Sequence, residues 1–426
     1  MSFDANRPDL TIGVLGAGAM GRGIAQVAAT GGITVLLMDT QAGVAESARD
    51  FIAKMLNRAV EKGALSRPDA LAAVARVRVV QALTDFRPCH LVVEAVVENL
   101  DVKRQVFGEL EDIVAPDCIL ASNTSSLSIT SIAGKLKTPE RFAGMHFFNP
   151  VPLMRLIEVV SGLRTEPWVS DALIQVGKRM TREPVRCSDV PGFVVNQVGR
   201  GFVLEASHLV QEGVAGFADV DRVMRDVAGF PLGPFELLDL TALDVSHPAS
   251  ESIYNQFFQE PRYRPSQLMR MRYEAGILGR KTKKGFYDYD SEMKPVLAPE
   301  APPPDARPDS VWVSSADPLG HRTLTDLLKQ LRAPLETTAR PSEKALCLVT
   351  PVGEDTTSCS VAEGLDPRRT VAVDTLFSLA KRRTIMATPI TEITYRAMAH
   401  GLLASDGAAV TVCRDSPGFI AQRIVA

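Results

Sequence analysis

A mostly parallel α/β sheet, then an all-helical domain, a proline-rich linker and a degenerate α/β repeat, is the fold class this sequence predicts. Three observations carry that reading. Short apolar runs alternate with helix-period stretches through the first half. Strand signals then fade from "SDVPGFVVNQVGRGFVLEASHLVQEG" (188–213) until "GRKTKKGFYDYD" (279–290). Finally, "CSDVPGFVVNQ" (187–197) recurs as "CRDSPGFIAQR" (413–423), 226 residues further on.

The strands are read in order from runs that are apolar throughout, as strands covered on both faces should be. They are "LTIGVLG" (10–16), "ITVLLMD" (33–39), "RVRVV" (76–80), "HLVVEAV" (90–96), "CILASN" (118–123), "FAGMHFF" (142–148) and "RLIEVV" (155–160). Between the first two, Met20, Ile24, Val27 and Ala28 fall on one helical face. The segment "KPVLAPEAPPPDARPDS" (294–310) predicts an extended linker. Beyond it, "VWVSS", "ALCLVTPV" and "RTVAVDTLFSL" are further strand candidates, and "RFAGMH" (141–146) has a fainter echo in "RTVAVD" (369–374). The domain boundaries that follow are 1–188 (α/β), 189–290 (helical), 291–310 (linker), 311–412 (degenerate repeat) and 413–426, the start of a truncated second helical domain.

Composition excludes several function classes. The net charge of −3 gives no electrostatic reason to expect nucleic acid or an anionic membrane as partner. Six scattered cysteines form no C-x-x-C pair, so no metal knuckle or redox motif is indicated, and a reduced chain is expected. The N-terminus lacks a signal-peptide pattern and no apolar run reaches the ~18–20 residues of a membrane span, so the expected location is cytoplasmic.

The best-defined motif is "TIGVLGAGAMGRGIAQVAATGGITVLLMD" (11–39). Gly16, Gly18 and Gly21 form G-x-G-x-x-G between a strand and a helix, a Rossmann-like dinucleotide turn. Its glycines provide a tight turn, close approach of backbone to pyrophosphate, and close helix–strand packing; the helix start, with Met20, offers free N–H groups to phosphate. Asp39, 23 residues after Gly16, is placed to accept from the adenosine ribose and to repel a 2′-phosphate, favouring NAD over NADP. FAD shares the fingerprint and stays open at this point.

"MHFFNPVPLMRLIEVV" (145–160) poses a physical problem: an apolar stretch carries His146 and Glu158, and burying either alone is costly. Read with "VVEAVVENLDVKRQVF" (92–107), "ASNTSSLSIT" (121–130), "DVPGFVVN" (189–196) and "GRKTKKGFYDY" (279–289), the block resembles the NAD-dependent L-3-hydroxyacyl-CoA dehydrogenases over roughly residues 8–290. The two-copy layout further resembles their longer bacterial members associated with phenylacetate catabolism and 3-hydroxyadipyl-CoA.

The resemblance implies the chemistry. It makes His146 the general base and Glu158 its carboxylate partner, so that the two burial penalties cancel as a hydrogen-bonded pair. It places Ser125 and Asn196 at the reacting oxygen, Asn123 near the nicotinamide, and Glu98 and Lys103 at the nicotinamide-side ribose. A plain alternative for Glu98 and Lys103 is an exposed ion pair. Lys54, Arg58 and Lys62, at helical spacing, match a basic helix that meets coenzyme A phosphates, or form a solvated face. The expected reaction is oxidation of (S)-3-hydroxyacyl-CoA by NAD, in a homodimer paired through the helical domains, without metal, membrane or nucleic acid. Lys283 stands where the family shows glycine, which puts the local turn in question. At an offset of 228 the echoes of His146 and Glu158 are Asp374 and Met386, and no glycine fingerprint accompanies them, so the repeat is expected to be inert. Rival readings are a hydroxy-acid dehydrogenase without CoA, a non-catalytic NAD-binding protein and an FAD enzyme.

Overall fold

The structure, a computed structural model, describes residues 3–426, which form two compact units meeting between Gln197 and Val198. The first unit contains, in order, β1 (Thr11–Leu15), α1 (Ala19–Thr30), β2 (Thr34–Met38), α2 (Val44–Glu61), α3 (Arg67–Arg76), β3 (Val77–Val79), β4 (Leu91–Glu94), α4 (Leu100–Ile113), β5 (Ile119–Ser122), α5 (Ile129–Ala133), β6 (Phe142–Phe147), β7 (Leu156–Ser161), α6 (Pro167–Arg179) and β8 (Glu183–Ser188). These eight strands form one sheet in the order β3-β2-β1-β4-β5-β6-β7-β8. All neighbours are parallel except β6 and β7. The order reverses between β1 and β4, and that reversal opens a crevice at the carboxyl ends of the strands.

β1, β2, β4 and β5 are buried on both faces, which explains their unbroken apolar runs. One core under the sheet holds Ile24, Val27, Ile52 and Leu173; the other face packs Phe86, Phe107, Leu110 and Phe142. β8 escapes a reading by hydrophobic pattern because it is the sheet edge and mostly exposed, "EPVRCS".

α7 (Val195–Gln211) starts at the end of the first unit and continues into the second. The second unit adds α8 (Phe217–Asp226), α9 (Pro234–Thr241), α10 (Leu243–Gln256) and α11 (Gln267–Glu274), then a short hairpin of β9 (Asp288–Tyr289) and β10 (Pro295–Val296). There follow β11 (Val311–Val313), α12 (Pro318–Gln330), β12 (Leu346–Val349), α13 (Thr356–Glu363), β13 (Thr370–Val373), β14 (Arg382–Ala387), α14 (Ile393–Leu403), β15 (Ala409–Arg414) and α15 (Ala421–Val425).

The "GFYDY" segment owes its regularity to a buried carboxylate. Asp239 on α9 accepts from the Phe286 and Tyr287 N–H groups and the Tyr289 hydroxyl at 2.9–3.0 Å. The turn before it sets Lys283 itself in the left-handed conformation, φ 57°. A side chain there costs about 1–2 kcal/mol. Lys283→Gly is therefore expected to raise stability by about 1 kcal/mol after the extra chain entropy of glycine is counted, read as an upward shift of the thermal midpoint.

β11–β15 form a five-stranded sheet in sequence order with one antiparallel pair, β13–β14. That is the pattern of β4–β8, so the repeat copies the late α/β part. Among the described residues it has no counterpart of β1, the strand that leads into the glycine turn. The register corrects one expectation. The pairing Ala372↔Met386 runs on to Asp374, whose N–H donates to the Thr384 carbonyl at 3.0 Å. The residue facing Asp374 as Glu158 faces His146 is thus Thr384, not Met386. The connection between the two strands is two residues shorter in the repeat, which shifts the offset from 228 to 226.

β14, "RRTIMA", reads as polar, yet Arg382 and Arg383 are only 3% and 2% exposed because carboxylates meet both. Arg382 is bound by Asp226 and, bidentately, by Glu300; Arg383 is bound by Asp406. Glu300 lies in the proline-rich segment, so that segment is pinned to the repeat rather than free-standing. The stretch 413–426 is the end of β15, a turn and α15, and Phe419, Ile420, Ala421 and Ile424 share one core with Val203, Leu209, Val220 and Met224 of the helical part.

Candidate active site

Strand pairing answers the question of the buried histidine. β6 and β7 run antiparallel with His146 directly opposite Glu158. Side chains so placed project from the same face about 4.5–5.5 Å apart at Cβ. The imidazole Nδ1 lies 2.8 Å from Glu158 Oε2. His146 is 5% exposed and Glu158 not at all. The Phe148 and Phe193 rings flank the imidazole, with centroids at 4.4 and 5.8 Å.

Glu158 has further partners. Its Oε1 accepts from the backbone N–H groups of Val194 and Val195, both at 2.9 Å. Those groups face inward because the "PGFVV" turn passes through two successive left-handed residues, Gly192 (φ 78°) and Phe193 (φ 51°). Burial alone would raise the pKa of this carboxyl. The His146 bond and the Val195 and Val194 N–H groups outweigh it and hold Glu158 below the usual glutamate range. The carboxylate therefore stays ionised, keeps the Nδ1 proton facing it, and leaves Nε2 as the nitrogen available to a substrate.

The polar turn after β5 is organised by a second carboxylate. Glu98 Oε1 accepts from the Thr124 hydroxyl at 2.6 Å and from the Ser125 and Ser126 N–H groups at 3.0 and 3.1 Å. Burial acts to raise the Glu98 pKa, but Lys103 and these donors leave it lowered. The Lys103 ammonium lies 3.3 Å from Glu98 and 2.6 Å from Glu94. The ion pair is real, but its lysine is 1% exposed, so it is not the exposed pair considered above. Lys103 tethers Glu98. Glu94 accepts from Ser122 Oγ at 2.7 Å and from the Val96 N–H at 2.7 Å, and sequence reasoning overlooked it. An acid inside the apolar run "HLVVEAV" was the available signal.

Asn196 joins this turn, its Nδ2 donating to the Ser125 carbonyl at 3.2 Å. Asn123 Oδ1 accepts from the Phe147 N–H at 2.9 Å, linking the turn to the residue after His146. A further anchor went unremarked in the sequence. Asp189 accepts from Ser128 Oγ and from the Ile129 and Thr130 N–H groups at 2.7–2.8 Å, fixing the turn that leads into α7.

At the other end of the crevice, Gly16 has φ 96°, and a Cβ there would lie 2.5 Å from the Ala95 carbonyl oxygen. A Cβ on Gly21 would overlap the Gly16 oxygen, while nothing lies within 4 Å of one on Gly18. The backbone is thus closed where it packs and open where a pyrophosphate would approach, so the residues present fit a dinucleotide. Asp39, just past β2, accepts from the Ala17 N–H at 2.8 Å and the Gln41 N–H at 2.9 Å, and so braces this turn. Met20, half-buried at the start of α1, packs on the core. Lys54 and Arg58 are exposed on α2. Gly16→Ala is expected to cost about 1–3 kcal/mol of stability and to abolish NADH binding, followed by nucleotide fluorescence.

Comparison with known proteins matches this arrangement. Residues 11–190 fit the family model "3-hydroxyacyl-CoA dehydrogenase, NAD binding domain", and residues 192–289 fit "3-hydroxyacyl-CoA dehydrogenase, C-terminal domain". The chain is 42% identical over 291 residues to the 3-hydroxyadipyl-CoA dehydrogenase of Escherichia coli K12, covering 68% of this chain and 61% of that protein. It is 39% identical over 285 residues to the 3-hydroxybutyryl-CoA dehydrogenase of Bradyrhizobium diazoefficiens, covering 67% of this chain and 97% of that one. Among solved structures, the 3-hydroxybutyryl-CoA dehydrogenase of E. coli K12 superposes with a TM-score of 0.84 at 34% identity, over 98% of this chain and 83% of that chain. The glycine turn is accordingly an NAD site rather than an FAD site, and among the described residues no helix is long and apolar enough to cross a membrane. With its crevice, its imidazole–carboxylate pair and both domain models in register, the chain belongs to the 3-hydroxyacyl-CoA dehydrogenase family.

Proposed function

We propose that this chain oxidises (S)-3-hydroxyacyl-CoA to 3-oxoacyl-CoA, as its family membership implies. The observation that carries the reading is the His146–Glu158 pair, with one ring nitrogen engaged and the other available. Bound NAD⁺ supplies the hydride acceptor. His146 Nε2 takes the hydroxyl proton as the C3–H bond breaks and the C3–O bond becomes a carbonyl, which balances the reaction with NADH and one proton. Glu158 meets the resulting imidazolium with a full negative charge, as the aspartate does in a serine-protease triad. Asn196 and Ser125, coupled through the Ser125 carbonyl, hold donors at the oxygen on which negative charge gathers. Asn123, fixed by the Phe147 N–H, and Glu98, fixed by Lys103, stand at the nicotinamide end; Gly16, Gly18, Met20, Gly21 and Asp39 line the adenosine end.

Domain limits of 1–188 and 189–290, pairing of two chains through the helical part, and coenzyme A phosphates meeting Lys54 and Arg58 complete the proposal. A cytoplasmic setting is in keeping with six free cysteines. The test is NADH formation with 3-hydroxybutyryl-CoA against free 3-hydroxybutyrate. Turnover of the ester alone supports the reading; turnover of the free acid at an equal rate would replace it with a hydroxy-acid dehydrogenase.

A further inference from the structure

The repeat keeps the strand plan of β4–β8 but not the catalytic pair, so a polar contact absent from it is one that this plan does not require. The Asp189 clamp is kept: Asp415, 226 residues on, accepts from the Thr356 and Thr357 N–H groups at 2.9 and 3.2 Å. The contacts of Glu94 are not kept, and register fixes the equivalences. Ser122 pairs with Gly144, two residues before His146; Val349 pairs with Ala372, two before Asp374. Glu94 lies beside Ser122, and β11 runs on past the pair Val313↔Leu348 to put Ser314 beside Val349. Counted from the helix caps Asn99 and Asp317, Lys103 corresponds to His321 and Glu98 to Ala316. His321 Nδ1 lies 2.9 Å from the Ser314 carbonyl, a contact that involves no carboxylate. Glu94, Glu98, Lys103 and Ser122 are therefore serine, alanine, histidine and valine in the half that lacks the catalytic pair.

In the working half Glu94 is wholly buried and meets three donors: Lys103 Nζ at 2.6 Å, and the Val96 N–H and Ser122 Oγ at 2.7 Å each. From it two lines of contact converge on the turn that carries Ser125. One passes through Ser122 Oγ, which accepts from the Thr124 N–H at 3.2 Å. The other passes through Lys103 to Glu98, whose Oε1 accepts from the Ser125 and Ser126 N–H groups. Lys103 is shared between two carboxylates. Were Glu94 uncharged, Glu98 would be the only counter-charge of a buried cation and would be drawn off the turn. A buried ion pair adds little stability over apolar groups of equal volume. What it supplies here is fixed geometry beneath the donors.

Resting on the dehydrogenase reading above, we propose that Glu94 is a positioning residue of the reaction, setting the Ser125 turn through Ser122 and Glu98 through Lys103. Being wholly buried, it touches neither substrate nor cofactor. A displacement of about 1 Å in such a turn is enough to cost about 100-fold in rate.

The experiment measures kcat and KM with 3-hydroxybutyryl-CoA and NAD⁺, and NADH affinity by nucleotide fluorescence, in the wild type, Glu94→Gln and Ser122→Ala. Glu94→Gln is expected to lower kcat about 10- to 100-fold and to weaken NADH binding about tenfold. Ser122→Ala leaves no buried charge unpaired, so it should fold as the wild type does and lose about three- to tenfold in kcat. A purely structural role would reduce only the folded fraction, scaling kcat while leaving both KM values and NADH affinity in place. That pattern, or a folded Glu94→Gln within about threefold of wild type in both kcat and NADH affinity, would overturn the assignment while leaving the dehydrogenase reading intact. If Glu94→Gln does not fold, Ser122→Ala decides, and a wild-type kcat in that variant overturns it. No NADH from the wild type would sink both readings.

Discussion

His146→Gln is expected to lower kcat by at least ~10²-fold, the low end for loss of a general base, with NAD affinity nearly unchanged. The expectation follows from strand pairing rather than from the histidine alone. Glutamine matches the imidazole in size and can still donate to Glu158, so β6 and β7 should keep their register. What disappears is a basic nitrogen at the Nε2 position. Steady-state rates paired with NADH titration separate the two effects. A variant that turns over within a few-fold of wild type would remove His146 from the chemistry.

Glu158→Gln should be nearly as damaging and should also report on stability. The substitution replaces a carboxylate that accepts from three donors with an amide whose –NH₂ must face one of them. A loss of about 3–5 kcal/mol is the usual consequence of breaking a buried charged pair from one side. Catalysis should fall by at least ~10-fold because the imidazolium formed in the reaction loses its counter-charge. The pH dependence has a definite sign. The native Glu158 carboxyl lies below its ordinary value of 4.5, so its contribution is complete above that pH and is lost as pH falls through the lower native value. The unfolded state takes up the proton first. Glu158→Gln should flatten that part of the acid-unfolding curve while lowering stability at neutral pH. Chemical denaturation at a series of pH values reads both, and a variant with unchanged acid sensitivity would contradict the assignment.

Much of this fold can be read from the chain before any coordinates, for a physical reason. Strands covered on both faces must be apolar throughout, so β1, β2, β4, β5, β6 and β7 announce themselves. The glycine turn is equally legible, because only glycine satisfies the backbone conformation at Gly16 and the close contact at Gly21. The edge strand β8 and the arginine-bearing β14 do not announce themselves. One is half in water; the other hides its cations behind Asp226, Glu300 and Asp406, partners distant in sequence that no local pattern can supply. The His146–Glu158 pair is legible only through the surrounding motif, since the two residues become neighbours only when two strands fold back on each other. Lys103 was placed near the cofactor, but its burial between Glu94 and Glu98 depends on tertiary packing. In the repeat, counting at a fixed offset pointed to Met386, whereas hydrogen-bond register, which senses a shortened connection, gives Thr384.

The shared core of the second unit has a consequence for how such a chain can change over generations. Ile420 and Ile424 shield the same apolar interior as Val220 and Met224, so the repeat is no passenger on the enzyme. Substitutions at the ends of its strands, such as those that put aspartate and threonine where the working half has histidine and glutamate, leave that interior whole. Deleting the repeat would bare it. The helical part and the repeat are walls of one interior, so such a gene can vary at the strand tips but not shed the repeat's bulk.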